Sequence, residues 1–182
     1  MQREAVLARQ NVTDGAIGDE LVAVFTSSRE RAYWIALDIT RDPDEAADIV
    51  AEALVRAQRG LPRFRGDCSL RTYLLRVVVN LALKGVRRRR VRERLRHLLL
   101  GEEHDARTPE HLASCGEQSR ALARALDELP ARQRAAFVLR HAHELHVAEV
   151  AAVLQLSEGT VKTHLSRAVQ RLRRALREQV RP

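Results

Sequence analysis

Cysteine is scarce in this 182-residue chain. Cys68 and Cys115 are its only two, too far apart for a CxxC pair. That excludes a disulfide framework and a zinc finger. No apolar run approaches the length of a membrane span, and the N-terminus lacks the apolar core of a signal peptide, so no membrane insertion is expected and the chain is placed in the cytoplasm. There is no Gly-rich phosphate loop, Ser-His-Asp grouping or isolated nucleophile setting, so neither an enzyme activity nor a cofactor is expected. Lysine is nearly missing too: all but Lys84 and Lys162 of the 32 basic residues are arginine. Biased codon usage could favour Arg over Lys, but it would not decide where the arginines fall.

What is present is a 45% hydrophobic content, enough for real cores, and a formal charge of +8. The excess points to a polyanion, and arginine suits bidentate contact with phosphate and guanine. The charge is unevenly spread. Residues 14–58 hold ten acidic groups against four basic, a net of −6. Residues 84–96 hold eight basic against one acidic, and residues 160–182 seven against one. An acidic section followed by two basic ones implies two kinds of partner surface.

The most informative stretch is 147–173, VAEVAAVLQLSEGTVKTHLSRAVQRLR. Val147, Val150, Ala151 and Leu154 recur at helical spacing, and so do Val161, Leu165, Ala168, Leu172 and Leu176. Between them Ser157 stands where an N-cap belongs, its hydroxyl able to accept from the free amides of the next turn. Two short helices across such a turn form a helix-turn-helix. With one face of the second helix buried, Gly159, Thr160, Thr163, Ser166, Arg167 and Gln170 lie opposite, flanked by Lys162 and Arg171. These groups can approach base edges and phosphates, whereas a plain amphipathic hairpin would leave turn chemistry, spacing and charge agreeing for no reason.

In chain order, residues 1–18 are a weakly patterned lead-in. A first helix is expected over 19–40, with Leu21, Val24, Phe25, Ala32, Ile35 and Ile39 inward and Trp34 assigned to the core. Asp42-Pro43 breaks it. A second helix over 44–59 buries Ala46, Ile49, Val50, Ala53, Leu54 and Ala57; Asp44 and Glu45 complement its dipole, and Asp48 and Glu52 share an exposed face. After a loop, Ser69 can cap a third helix over 70–90 or beyond. Its core stripe is Leu70, Leu74, Val77, Val78 and Leu81, and its polar stripe is Thr72, Arg76, Asn80, Lys84 and Arg87, ending in the run Arg87 to Arg90. Residues 93–118, with Gly101, Pro109 and Gly116, read as a linker between two small helical domains, 19–92 and 119–182. A fourth helix over 120–128 and a fifth over 131–142 lead into the helix-turn-helix. The fold class is all-α.

Two separated blocks carry a resemblance. LDELPARQRAAFVLR followed by AEVAAVLQLSEGTVKTHLSRAVQRLRRAL resembles the C-terminal DNA-binding domain of bacterial sigma factors, and DPDEAADIVAEALVRAQ with FRGDCSLRTYLLRVVVNLALKGVRRRR resembles their N-terminal domain. With only these two domains the chain is similar to the sigma-70 family's extracytoplasmic-function group. The resemblance implies a non-enzymatic initiation factor whose partners are core RNA polymerase (the β′ clamp helices and the β flap), promoter DNA and an anti-sigma factor. Asp44, Asp48 and Glu52 match core-binding positions. Arg76, Asn80, Lys84, Arg87 and Arg88, with the rest of the basic tail, match the surface that meets the −10 element, and the loop 64–69 one that holds an unstacked base. Thr160, Lys162, Thr163, Ser166, Arg167 and Arg171 match the −35 reading helix. Arg132 and Arg134 lie near positions that touch −35 backbone, although Arg134 fits an internal salt bridge equally.

The sequence departs from that pattern at Ala47, Ala51, Leu54, Tyr73, Glu144 and His146. Two other readings compete. A response-regulator effector domain shares the GTVKTHL helix but would need a receiver domain of alternating strands and helices, and no strand runs are visible. His141, His143 and His146 form an H-x-H-x-x-H cluster, but no carboxylate-cysteine set accompanies it and it falls at a helix junction, so no metal is expected.

Overall fold

Proline, glycine and short polar side chains set the helix boundaries. The computed structural model describes residues 2–100 and 117–179, and in them every regular element is helical. Helix α1 spans Gln2–Thr40, running back through the stretch that lacks pattern in the sequence. Arg41 ends it in the left-handed region at φ 61°, its amide donating to the Leu37 carbonyl. Asp42 then caps α2 (Pro43–Gly60): its carboxylate accepts from the Glu45 amide at 2.9 Å, with Pro43 in the first turn, where no amide is needed. A 3₁₀ turn, Leu61–Arg63, leads through Gly66 (φ 74°) to Ser69, whose hydroxyl accepts from the Thr72 amide at the start of α3 (Leu70–Leu100). Helix α3 therefore runs well past Arg90.

The C-terminal elements are α4 (Glu117–Asp127), α5 (Ala131–Phe137), a π turn (Val138–Ala142), α6 (Val147–Leu154) and α7 (Glu158–Gln179). Helices α1, α2 and α3 pack around Leu21, Ile35, Ile39, Ile49, Val50, Leu74 and Val78. Buried alanines at 32, 36, 46, 53, 57 and 82 keep the three backbones close, since each fills the contact without holding the helices apart. A smaller cluster of Ala125, Leu129, Ala168 and Leu172 ties α4 to α7.

The larger core does not stop at α3. Ala135, Ala136, Val138, Leu139, Leu145, Val150, Val153 and Val161 join it, so α5 and α6 of the helix-turn-helix unit seat against α1 and α3. The expected inward stripes are inward, with one exception. Trp34 is 48% exposed. It shares a turn of α1 with the buried Ile35 but sits one residue round the helix, its ring edge-on to Tyr33 at 5.5 Å.

Candidate nucleic-acid interface

The turn between α6 and α7 has two local causes. Gln155 takes a left-handed conformation (φ 54°), which reverses the chain after α6, and the Leu156 amide closes on the Ala151 carbonyl at 3.0 Å. Ser157 then caps α7, its hydroxyl accepting from the Thr160 amide at 3.2 Å and lying 2.8 Å from the Thr160 hydroxyl. Upstream, Glu144 is also left-handed (φ 58°), the conformation glycine takes most easily. Glu149 reaches back to accept from the His146 amide at 2.7 Å, which secures the start of α6.

Val161, Ala168 and Leu172 turn α7 inward, and Thr160, Lys162, Thr163, Ser166, Arg167 and Arg171 are all exposed together on the outside. The two threonine hydroxyls are already engaged within the chain: Thr160 with Ser157, and Thr163 donating to the Gly159 carbonyl at 3.0 Å. They still offer oxygen lone pairs and methyl groups outward, while Lys162, Arg167 and Arg171 carry the charge. His164 lies on the flank of this face. Burial holds its pKa below the usual histidine range, and the cations of Arg132 and Arg167 lower it further.

Arg132 is exposed, but Arg134 is not available to DNA. Its side chain is 5% exposed and bonded to Asp127 at 3.0 Å. Burial brings its pKa down to about 10 against the opposing pull of Asp127. Of the two roles open to Arg134, the structure assigns the internal salt bridge.

On α3, Arg76, Asn80, Lys84, Arg87 and Arg88 fall on one side at spacings of three and four. Asn80, Lys84, Arg87 and Arg88 are exposed; Arg76 is half-buried, 3.6 Å from the Cys68 sulfur at the end of the 64–69 loop. That loop is braced by Phe64 against Tyr73 (5.0 Å between ring centroids) and by the Tyr73 hydroxyl donating to the Ala57 carbonyl. Gly60 permits this, because a Cβ there would lie 2.2 Å from the Tyr73 oxygen.

The basic tail divides. Arg89 turns inward, donating to the Thr40 carbonyl and lying 3.4 Å from Asp42 and 3.6 Å from Glu45. Arg90 donates to the Leu129 carbonyl at 3.0 Å. These two arginines are engaged within the chain, Arg90 while still exposed, and Arg87 and Arg88 face solvent. Gly85 is what lets Glu45 close over α3, since a Cβ there would meet its carboxylate at 1.9 Å. Burial keeps the Glu45 carboxyl above the usual range, and Arg89 offsets only part of that. A glycine inside a helix was the one sequence sign of this approach.

On α2, Asp44 and Asp48 are exposed and unencumbered on the acidic face, whereas Glu52 is clasped by Arg56 one turn on, at 2.7 Å. The three histidines of the H-x-H-x-x-H run separate. His141 stacks on Phe137, His143 meets Asp38, and His146 sits at the α6 cap; no cluster fit to hold a metal ion forms among the described residues.

This geometry defines a two-unit, all-helical protein with a helix-turn-helix in its second unit. Family comparison sharpens the class. Residues 24–92 match Sigma-70 region 2, and residues 119–172 match Sigma-70, region 4. The chain is 32% identical over 153 residues to the ECF RNA polymerase sigma factor SigM of Mycobacterium tuberculosis, covering 84% of this chain and 75% of that one. It is 31% identical over 147 residues to the ECF RNA polymerase sigma-E factor of Escherichia coli, covering 76% and 75%. It is also similar in fold to the sigma factor RpoE solved with the anti-sigma factor NepR from Bartonella quintana, at 24% identity and a TM-score of 0.59 over 89% of this chain and 97% of that one. CnrH, solved with the cytosolic domain of CnrY, gives 0.64 at 22% identity over 87% and 88%. The chain belongs to the extracytoplasmic-function (ECF) group of RNA polymerase sigma factors.

Proposed function

We propose that this chain gives core RNA polymerase its promoter specificity through three surfaces built as described above. The observation that carries the reading is α7: one face is buried in the core, and the other presents Thr160, Lys162, Thr163, Ser166, Arg167 and Arg171 to solvent. These residues read the −35 element, with side chains on base edges and cations on flanking phosphates. Asn80, Lys84, Arg87 and Arg88, with Arg76 positioned beside the 64–69 loop, hold the −10 element. Asp44 and Asp48 dock on the β′ clamp helices, with Glu52 contributing once Arg56 releases it, while the helix-turn-helix unit meets the β flap. Residues 19–92 and 119–182 form the two working units. The protein acts in the cytoplasm, without catalysis of its own and without a metal or cofactor; among the described residues no helix is long and apolar enough to cross a membrane. An anti-sigma factor is the natural regulator, since RpoE is solved with the anti-sigma factor NepR.

The test is co-purification of the tagged chain with core RNA polymerase, followed by transcription from a pool of promoters of the source organism. Stable binding and start sites sharing −35 and −10 sequences are expected. DNA binding without core binding would overturn the sigma reading and make the chain a helix-turn-helix regulator.

A further inference from the structure

His164 is a half-buried ring that the reading face described above leaves unused. It stands on α7 one turn after Thr160 and three residues before Arg167, on the border between the exposed side and the side buried against the core. Its Nδ1 is buried and meets no hydrogen-bond partner, so Nε2 is the ring nitrogen left to face outward. The charged groups that bear on the ring are Arg132 from α5 and Arg167 from α7 itself, and both are cations. Elsewhere in the chain arginines are matched to carboxylates: Arg134 to Asp127, Arg56 to Glu52, and Arg89 to Asp42 and Glu45. Arg132 and Arg167 are exposed, and among the described residues neither forms an ion pair. Two helices thus bring two cations and a ring donor to one place, with no acid there to neutralise them.

We infer that Arg132, His164 and Arg167 form a seat for one backbone phosphate of a bound duplex, beside the base-reading side chains of α7. The seat rests on the −35 reading proposed above and brings His164 and Arg132 into it. The chemistry is that of an anion. A phosphate oxygen accepts from Nε2 while its charge offsets both guanidiniums, and none of these contacts depends on base sequence. A neutral base edge could occupy the ring donor but would leave the two positive charges uncompensated.

Proton uptake then accompanies binding. In the free chain the ring is neutral at and above neutral pH, because burial and the two cations oppose its charge. A phosphate in the seat cancels the repulsion from Arg132 and Arg167 and adds an attraction of its own, so the bound ring holds a proton more tightly than the free one. Lower pH therefore favours binding. The association constant falls as pH rises from the free ring's pKa to the bound ring's, by about tenfold for each unit that separates them. An arginine in place of His164 would give no such dependence, since it stays charged throughout.

The test uses the full chain and a short mixed-sequence duplex, with binding followed by fluorescence anisotropy at about pH 5.5 and 7.5, the range in which a histidine changes charge. Lowering the pH should tighten the wild type by about three- to tenfold more than His164→Gln. The fall of log affinity with log salt should be steeper in the wild type than in His164→Gln by about one at the lower pH, and should converge on it at the higher. Arg132→Gln, at an exposed position outside the core, should flatten the pH dependence and lower the salt slope by about one at both. Equal pH dependence in wild type and His164→Gln would overturn the seat, and so would an Arg132→Gln chain that keeps the full dependence and salt slope. Selection from a random duplex pool tests the underlying reading separately. Recovered duplexes without a shared motif would sink −35 recognition and leave the seat standing, whereas a shared motif bound without the histidine's pH dependence would do the reverse.

Discussion

Asp127→Ala isolates the most exposed weakness of the helix-turn-helix unit. Asp127 Oδ1 lies 3.0 Å from Arg134 and 3.5 Å from Arg41, so one carboxylate serves a buried guanidinium and a contact to the other unit. Breaking a buried pair by removing one partner costs about 3–5 kcal/mol, because a charge is left uncompensated. Here the Arg134 side chain is 5% exposed but Asp127 is 41% exposed, so water entering at the vacated carboxylate would offset part of that cost. A single hydrogen bond to a charged group is worth about 1.5–3 kcal/mol, and a partly hydrated site falls in the upper part of that range, about 2–3 kcal/mol, below the full cost of a buried pair. For a chain of this size that lowers Tm by about 4–12 °C. The second contact, to Arg41, adds no more than about 1 kcal/mol, as surface pairs do. The assay is a double-mutant cycle followed by thermal and urea unfolding, with Arg134→Met as the apolar replacement. Arg134→Met alone should cost little, and adding Asp127→Ala to it should cost far less than Asp127→Ala in the wild-type background. Additive effects would refute the reasoning, since they would show that Arg134 does not depend on Asp127.

Four other outcomes follow from particular side chains. Under the proposed −35 role, Arg167→Ala should reduce discrimination between −35 and random duplex by about 1–3 kcal/mol; an equal loss on every sequence would reduce Arg167 to a phosphate contact. Asp48→Arg should weaken binding to core polymerase while affinity for a −35 duplex stays unchanged, and unaltered core affinity would remove Asp48 from that surface. Gln155→Gly should stabilise the fold by about 0.5–1 kcal/mol, since Gln155 is exposed and held at φ 54°, where only a residue without Cβ sits free of strain; a destabilised variant in chemical unfolding would refute it. For His164, burial favours the neutral ring in the folded state, with its pKa below the usual 6.5. Its contribution to stability is complete above that value and is lost as the pH falls through it towards the folded pKa. Melting temperatures at pH 7.5 and 5.5 should therefore fall further in the wild type than in His164→Gln, and parallel losses would exclude the histidine.

The helix count, the inward stripes and the exposed polar face of α7 were legible because each depends on spacing along one helix. Val161, Ala168 and Leu172 share a face whatever they pack against, and Ser157 caps whatever helix follows it. Trp34 shows the limit of that logic. Its size argues for the core, but its neighbour Ile35 takes the inward position, and one residue is about 100° of helix. Glu52 shows another: its place on an acidic face was legible, its capture by Arg56 was one option among several open to a long side chain.

By itself, then, the sequence determined an all-helical chain in two blocks, with a helix-turn-helix whose outer face is polar and basic. These are local matters of period, cap and charge. Only the tertiary structure decided which cations remain free. Arg87, Arg88, Arg89 and Arg90 are identical in sequence, yet Arg89 is taken by Asp42, 47 residues away, and Arg90 by the Leu129 carbonyl, 39 away. The docking of α5 and α6 on α1 and α3 was equally out of reach. The residues that make it, such as Asp38 and His143, are 105 apart, and a side-chain hydrogen bond leaves no period in the sequence for either partner to announce the other.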